Sequence, residues 1–253
     1  MEKENLLFYN EYEEFYEMAE KSTAFQTFCH DAFGQDFSQD GFSDTAQIDM
    51  ILPYISTKED VHILDIGCGN GKMLGYLQEK TGAFINGFDY SRKAIANARA
   101  LFTKRADFQE GVIGETDYPS HSFDIVISMD TMYFAKDMSA FVAQIKRWLK
   151  PDGILFAGYQ EGELVPRTID EHTTELAKAL KNNEMKYDVR NITKETYKLL
   201  KRKREAAMIH KAEFENEKHM KWFEMLMMQT MWSEKSYQHF EKAMARYIYT
   251  ARK

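Results

Sequence analysis

From residue 61 onward, short apolar runs alternate with helical stretches, which restricts the chain to βαβ units around a mainly parallel sheet. Residues 61–66 read as a first strand, 72–80 as the first helix of the alternation, and 83–88 as a second strand ending at Asp89. Ser91 is placed to cap a helix running to about Phe102, and 107–112 reads as a third strand. Residues 123–129 form an uninterrupted apolar run, as a strand covered on both faces requires. Phe141, Ile145, Trp148 and Leu149 share a helical face, and Pro151-Asp152-Gly153 reads as a turn before a fifth strand at 154–158.

The flanking segments follow a different period. Tyr12, Phe15, Tyr16 and Ala19 fall on one helical face, as do Phe25, Phe28, Cys29 and Ala32, and then Ile48, Ile51, Leu52 and Ile55; residues 34–43 break the pattern. After the fifth strand, 171–181 looks helical and 185–190 could form a strand. Residues 193 to about 245 are rich in helix formers, with Phe223, Leu226, Met227 and Thr230 on one face. The alternation at 247–250 suits a last strand.

The chemistry concentrates in Leu64-Asp65-Ile66-Gly67-Cys68-Gly69-Asn70-Gly71, between the first strand and the first helix of the alternation. Three glycines let the backbone turn sharply and approach a ligand without Cβ interference, while free N–H groups and a positive helix end are expected to face the same space. Asp89 closes the second strand near the roughly 20-residue offset at which an acidic side chain accepts hydrogen bonds from ribose hydroxyls. A ribose-bearing cofactor is expected. Dinucleotide sites use G-x-G-x-x-G to seat a pyrophosphate on the helix end, whereas this loop is G-x-G-x-G preceded by Asp65. A carboxylate there repels a pyrophosphate and attracts the ammonium of an amino-acid ligand.

With these residues in place, the sequence resembles the class I S-adenosylmethionine-dependent methyltransferases, whose first motif D-x-G-C-G-x-G is matched by Asp65, Gly67, Cys68, Gly69 and Gly71. The resemblance covers roughly residues 45 to 160, including Asp89, the run Phe123-Asp124-Ile125-Val126-Ile127-Ser128 and Leu149-Lys150-Pro151-Asp152-Gly153. It implies a doubly wound, mainly parallel, seven-stranded Rossmann-like α/β sheet with an antiparallel last strand, N-terminal helices and a helical C-terminal insertion. It divides the chain into an N-terminal helical cover (1–58), an S-adenosylmethionine-binding α/β core (59–160) and the C-terminal part of the sheet (161–253), all one structural domain. The implied cofactor residues are Asp65, Gly67, Cys68, Gly69, Asn70 and Gly71 around the methionine moiety, Asp89, Tyr90 and Ser91 at the ribose, Val112 and Ile113 at the adenine, and Met129, Asp130, Thr131 and Tyr133 towards the sulfonium. Many members carry an acidic residue after the glycine that ends strand three. Here Gly111 is followed by Val112 and Ile113, so adenine recognition would rest on backbone N–H groups and apolar packing.

The expected reaction is methyl transfer to a small-molecule acceptor by in-line displacement, with no metal ligands implied. Tyr133 and Asp130 are the candidates for orienting the acceptor, against packing for Tyr133 and a helix cap for Asp130. His30, His121 and His172 could each serve as a general base, but none is singled out, and Cys68 suits packing beneath a cofactor better than nucleophilic attack. Tyr9, Tyr12 and Tyr16 and the Met/Trp-rich segment 220–232 could equally form a lid or a core.

The net charge of −7 repels polyanions, and no Asn/Asp-Pro-Pro-Tyr motif follows strand four, where Asp130-Thr131-Met132-Tyr133 stands. An RNA or protein methyltransferase would have to dock through Lys201-Arg202-Lys203-Arg204. A nicotinamide oxidoreductase and a noncatalytic cofactor-binding module are the remaining alternatives. The start Met1-Glu2-Lys3-Glu4-Asn5 lacks a signal peptide's basic and apolar regions, and no run approaches the roughly 18 apolar residues of a membrane span. With only Cys29 and Cys68, the expectation is a cytoplasmic protein, with the oligomeric state and the methyl acceptor left open.

Overall fold

The computed structural model describes residues 6–55, 60–162 and 164–253. The expected signal-free start at 1–5 and the expected boundary after residue 58 lie outside the described residues.

Three N-terminal helices, α1 (Tyr9–Lys21), α2 (Thr23–Phe33) and α3 (Thr45–Ile48), precede the alternation. It then runs β1 (His62–Ile66), α4 (Lys72–Thr81), β2 (Phe84–Asp89), α5 (Arg92–Leu101), β3 (Ala106–Glu110), β4 (Phe123–Met129), α6 (Met138–Trp148), β5 (Leu149–Glu161), α7 (Glu175–Asn182) and β6 (Lys186–Asn191). Four helices, α8 (Thr193–Ile209), α9 (Lys211–Asn216), α10 (Met220–Gln229) and α11 (Tyr237–Ala243), are inserted before β7 (Ala245–Arg252).

The strands form one seven-stranded sheet in the order β3-β2-β1-β4-β5-β7-β6, parallel except for β7, which is antiparallel to both neighbours. The expected doubly wound architecture and antiparallel last strand are both present. Strand order reverses between β1 and β4, and that switch point opens a crevice at the carboxyl ends of the two strands.

Alternate side chains of the central strands feed two cores. Ile63, Ile85, Ile125, Ile127 and Phe156 pack with the N-terminal helices, α4, α5 and the inserted helices. Leu64, Ile66, Val126, Leu155 and Tyr247 pack with α6 and α7 on the other face. Both faces are covered, which is why Phe123, Ile125, Val126, Ile127 and Met129 of β4 are apolar, while Asp124 pairs with Lys150 and Ser128 lies against Thr131.

Side-chain caps set the helix starts. Ser91 accepts from the Ala94 N–H, as expected, while Asp137 caps α6 four residues before Phe141 and Thr174 starts α7 later than residue 171. Pro151-Asp152-Gly153 does not end a strand: β5 runs through it from Leu149, with Asp152 at φ 65° and a register shift against β4 between Phe123 and Ile125. The third strand stops at Glu110 rather than residue 112, freeing Val112 and Ile113 for the crevice. The helix-forming stretch from 193 is broken at His210, around Lys218 (φ 62°) and again after α10. Among the described residues, no helix is long and apolar enough to cross a membrane.

Candidate active site

A cavity of about 770 Å³ occupies the switch-point crevice. Its floor is the loop after β1. Gly67, Gly69 and Gly71 all have positive φ (72°, 53° and 75°), so the loop turns in a region of backbone space that side chains resist. Close contacts hold it in place. A Cβ on Gly67 would meet Thr131 at 2.7 Å, one on Gly69 would meet the Tyr16 hydroxyl at 2.2 Å, and one on Gly71 would meet Phe108 at 2.8 Å.

The N–H groups of Gly67, Cys68, Gly69, Gly71 and Lys72 are not free as expected; they are consumed within the protein. Gly67 and Cys68 both donate to the Phe88 carbonyl, at 2.9 and 3.1 Å, Gly71 donates to the Cys68 carbonyl at 3.0 Å, and Lys72 donates to Asn70 Oδ1 at 3.1 Å. The Gly69 N–H donates to Asp89 Oδ2 at 3.0 Å, while the Ser91 N–H donates to Asp89 Oδ1 at 2.9 Å. The floor therefore presents carboxylates to the cavity rather than a nest of donors. Burial pushes the Asp89 carboxyl up to about 6 against those two hydrogen bonds, and burial plus the neighbouring Asp89 charge hold Asp65 well above the usual carboxylate range.

Cys68 is packed, not poised. Its sulfur fills the space a Cβ on Gly87 would need, 2.6 Å away, and burial with the Asp89 and Asp65 charges raises its pKa well above the ordinary thiol value.

Of the expected cofactor residues, Asp65, Gly67, Cys68, Gly69 and Asn70 lie on the floor, Asp89 and Tyr90 with Val112 and Ile113 on one wall, and Met129, Asp130, Thr131 and Tyr133 on the other. Gly71 and Ser91 stand behind the wall, where Gly71 lets α4 approach Phe108 and Ser91 Oγ donates to Glu13 Oε1 at 2.6 Å. Thr131 Oγ1 bonds the Ile66 carbonyl at 2.8 Å and lies 2.6 Å from Ser128 Oγ, clasping the ends of β1 and β4 together. Asp130 (φ 59°) is not a helix cap. Both its oxygens are taken by Arg246 of β7, at 2.9 and 2.5 Å. Tyr133 faces the cavity with its ring 5.9 Å from Tyr159.

The roof comes from the chain's flanks. Tyr12 and Tyr16 of α1, Trp222, Met225, Met228 and Gln229 of α10 and the segment 39–43 between α2 and α3 all reach the cavity. Tyr9 instead packs edge-on against Tyr90 at 5.7 Å. No spacing rule pointed to Asp40, Gln229 or Arg246. The available signal for Arg246 is a charge next to the apolar stretch Tyr247-Ile248-Tyr249. None of His30, His121 and His172 reaches the cavity.

Residues 64–157 match the family model described as a methyltransferase domain. The chain is 32% identical over 113 residues to a ubiquinone biosynthesis O-methyltransferase of Neisseria meningitidis, covering 42% of this chain and 48% of that protein. It is 30% identical over 138 residues to phosphoethanolamine N-methyltransferase 1 of Arabidopsis thaliana, covering 53% and 28% respectively. Among solved structures, phosphoethanolamine N-methyltransferase 2 of Haemonchus contortus, in complex with phosphomonomethylethanolamine and S-adenosylhomocysteine, superposes with a TM-score of 0.73 at 20% identity, over 94% of this chain and 60% of that one. The chain thus spans less than half the length of these two curated relatives. Residues 64–157 are similar to a methyltransferase domain, and the chain shares its fold with the Haemonchus structure.

Proposed function

We propose that this chain catalyses methyl transfer from S-adenosylmethionine to a small-molecule acceptor. The observation that carries the reading is a cavity floor whose Gly67, Cys68, Gly69 and Gly71 N–H groups are spent internally and whose lining includes the Asp65 and Asp89 carboxylates. A diphosphate needs donors and positive charge, whereas ribose hydroxyls and an ammonium need acceptors. Asp89 accepts from the ribose and Asp65 attracts the methionine ammonium. Val112 and Ile113 sandwich the adenine, and Met129, Asp130, Thr131 and Tyr133 border the reacting centre. When bound, the cofactor supplies an activated methyl group, and the chain's part is to align the acceptor in line with it and exclude water.

The roof of α1 and α10 partly covers the site, which suits a small acceptor better than a macromolecule. The basic run that an RNA reading needs is already engaged. Arg202 pairs with Asp44 at 2.6 Å, Arg204 with Glu234 at 2.8 Å, Lys203 donates to the Gly41 carbonyl at 3.0 Å, and the Lys201 ammonium sits 4.8 Å from the Tyr197 ring. A cytoplasmic setting is in keeping with Cys29 and Cys68, both buried free thiols.

Calorimetric titration with S-adenosylhomocysteine and with NAD tests the cofactor, and methyl release in the presence of candidate acceptors tests turnover. Binding of the first ligand alone is expected. Preference for NAD would overturn the reading.

A further inference from the structure

The cavity is larger than a nucleoside needs and lies towards the upper end of the single-ligand range, leaving a second compartment for the acceptor under α1 and α10. Its charge is one-sided. Among the described residues, no lysine, arginine or histidine lines the cavity, whereas Asp40, Asp65, Asp89 and Asp130 do, with Glu11 beside them. Asp130 is neutralised by Arg246, and Asp65 and Asp89 flank the glycine loop. Asp40 remains for the acceptor compartment.

We infer that the acceptor carries a positive charge, an ammonium on an apolar body, held by Asp40 inside an aromatic enclosure, and that phosphorylated or carboxylated acceptors are excluded. This rests on the proposed methyltransferase reading and names its substrate class.

Asp40 is fixed from across the cavity: Gln229 Nε2 of α10 donates to its Oδ1 at 2.6 Å. Tyr12 and Phe134 also line the cavity and can offer ring faces to a cation, while the Phe42 and Trp222 rings already carry the Lys203 and Lys221 ammonium groups at 4.9 and 5.1 Å. The Asp40 charge also reaches the α1 phenols: it adds to the burial that raises the pKa of Tyr12, and acts on Tyr16 in the same sense. An anion entering this space would lose its water and meet only like charge. Burial raises the carboxyls of both Asp65 and Asp89, in keeping with a lining that, among the described residues, includes no lysine, arginine or histidine. The Haemonchus relative, which holds a phosphorylated amine, is therefore a guide to the fold and not to this acceptor.

The test is a matched series, phenylbutylamine, phenylbutanol and phenylbutanoate, with phosphoethanolamine alongside, titrated into protein saturated with S-adenosylhomocysteine. The amine is expected to bind roughly tenfold or more tighter than the carboxylate, the scale of one charge-assisted contact, and phosphoethanolamine is expected to give no heat. Asp40→Asn keeps the side chain's shape and should bring amine and alcohol to parity, with S-adenosylhomocysteine affinity unchanged. Equal or tighter binding of either anion, no binding of the amine, or an amine preference that survives Asp40→Asn would each overturn the inference. So would loss of S-adenosylhomocysteine affinity in Asp40→Asn, which would make Asp40 a cofactor residue. Failure of the unsubstituted protein to bind S-adenosylhomocysteine at all would instead overturn the methyltransferase reading.

Discussion

Arg246 on β7 grips Asp130 at the end of β4 with both arms of its guanidinium, and the pair is almost wholly out of water, with side-chain exposures of 1% and 10%. The same guanidinium bonds the Phe42 carbonyl at 2.7 Å, Ser43 Oγ at 2.9 Å and Gln47 Oε1, so one side chain ties the last strand, the switch-point wall and the segment carrying Asp40 together. A buried charge with this many partners is far more costly to orphan than to replace as a pair.

Arg246→Met is accordingly expected to cost about 3 to 5 kcal/mol in urea unfolding, because Asp130 is left buried without its partner. The double variant Arg246→Met with Asp130→Leu should recover most of that loss. A single variant of unchanged stability would show that the pair is not a tie.

Asp89→Ala should weaken S-adenosylhomocysteine binding by roughly 1 to 3 kcal/mol, the range for a lost hydrogen bond to a charged group. Calorimetry reads this directly. Unchanged affinity would remove Asp89 from the ribose contact.

The raised carboxyl of Asp89 also fixes a pH dependence. An aspartate titrates near 3.9 in the unfolded chain and at about 6 here, so between about pH 4 and 6 the folded state binds the extra proton. Its contribution therefore favours the fold below that window and is lost as pH rises through about 6, by at most on the order of 3 kcal/mol. Asp65 acts in the same direction. Comparing unfolding of the unsubstituted protein and Asp89→Asn at about pH 5 and pH 8 isolates the effect, because Asp89→Asn should gain relative stability at the higher pH. Cofactor affinity should run the other way, strengthening above about pH 6 as the acceptor carboxylate forms.

Gly69 and Gly82 separate two kinds of glycine requirement. Both have positive φ, 53° and 70°, yet a Cβ on Gly82 meets nothing within 4 Å while one on Gly69 runs into the Tyr16 hydroxyl. Gly82→Ala should cost about 1 kcal/mol from backbone strain alone. Gly69→Ala should cost more, and should also lower S-adenosylhomocysteine affinity by moving α1. Equal losses in thermal unfolding would mean that Tyr16 yields freely.

Engagement of the basic run predicts that tRNA will not bind measurably even at low salt, where phosphate contacts are strongest. A gel-shift titration checks it. A salt-sensitive complex would reopen the macromolecular reading.

The sheet and its glycine floor were legible because their signals are local. Ser91 precedes its helix, Phe123–Met129 is mostly apolar, and the motif from Asp65 to Gly71 sits between strand and helix. Local signals also misled where a neighbour decided the outcome. Pro151-Asp152-Gly153 has turn composition, but Leu149 already pairs with Phe123 of β4, so the segment is an irregularity inside β5 rather than a turn before it. The N–H groups of the loop looked free because their acceptors, Phe88 and Asp89, belong to another strand. The chamber's roof was least legible. Asp40 lies in what reads as a break between helices, and its partner Gln229 is one polar residue in a methionine-rich helix far along the chain.

The position of β7 between β5 and β6 has a kinetic consequence. β6 pairs with no other strand, so its backbone groups stay unmatched until the four intervening helices have been made and β7 has slid into the gap. Assembly of that edge is bound to be late, since distant segments must meet before either gains a partner. Because β7 also delivers Arg246 to Asp130, docking of that strand and fixing of the cavity wall at Asp130 are coupled.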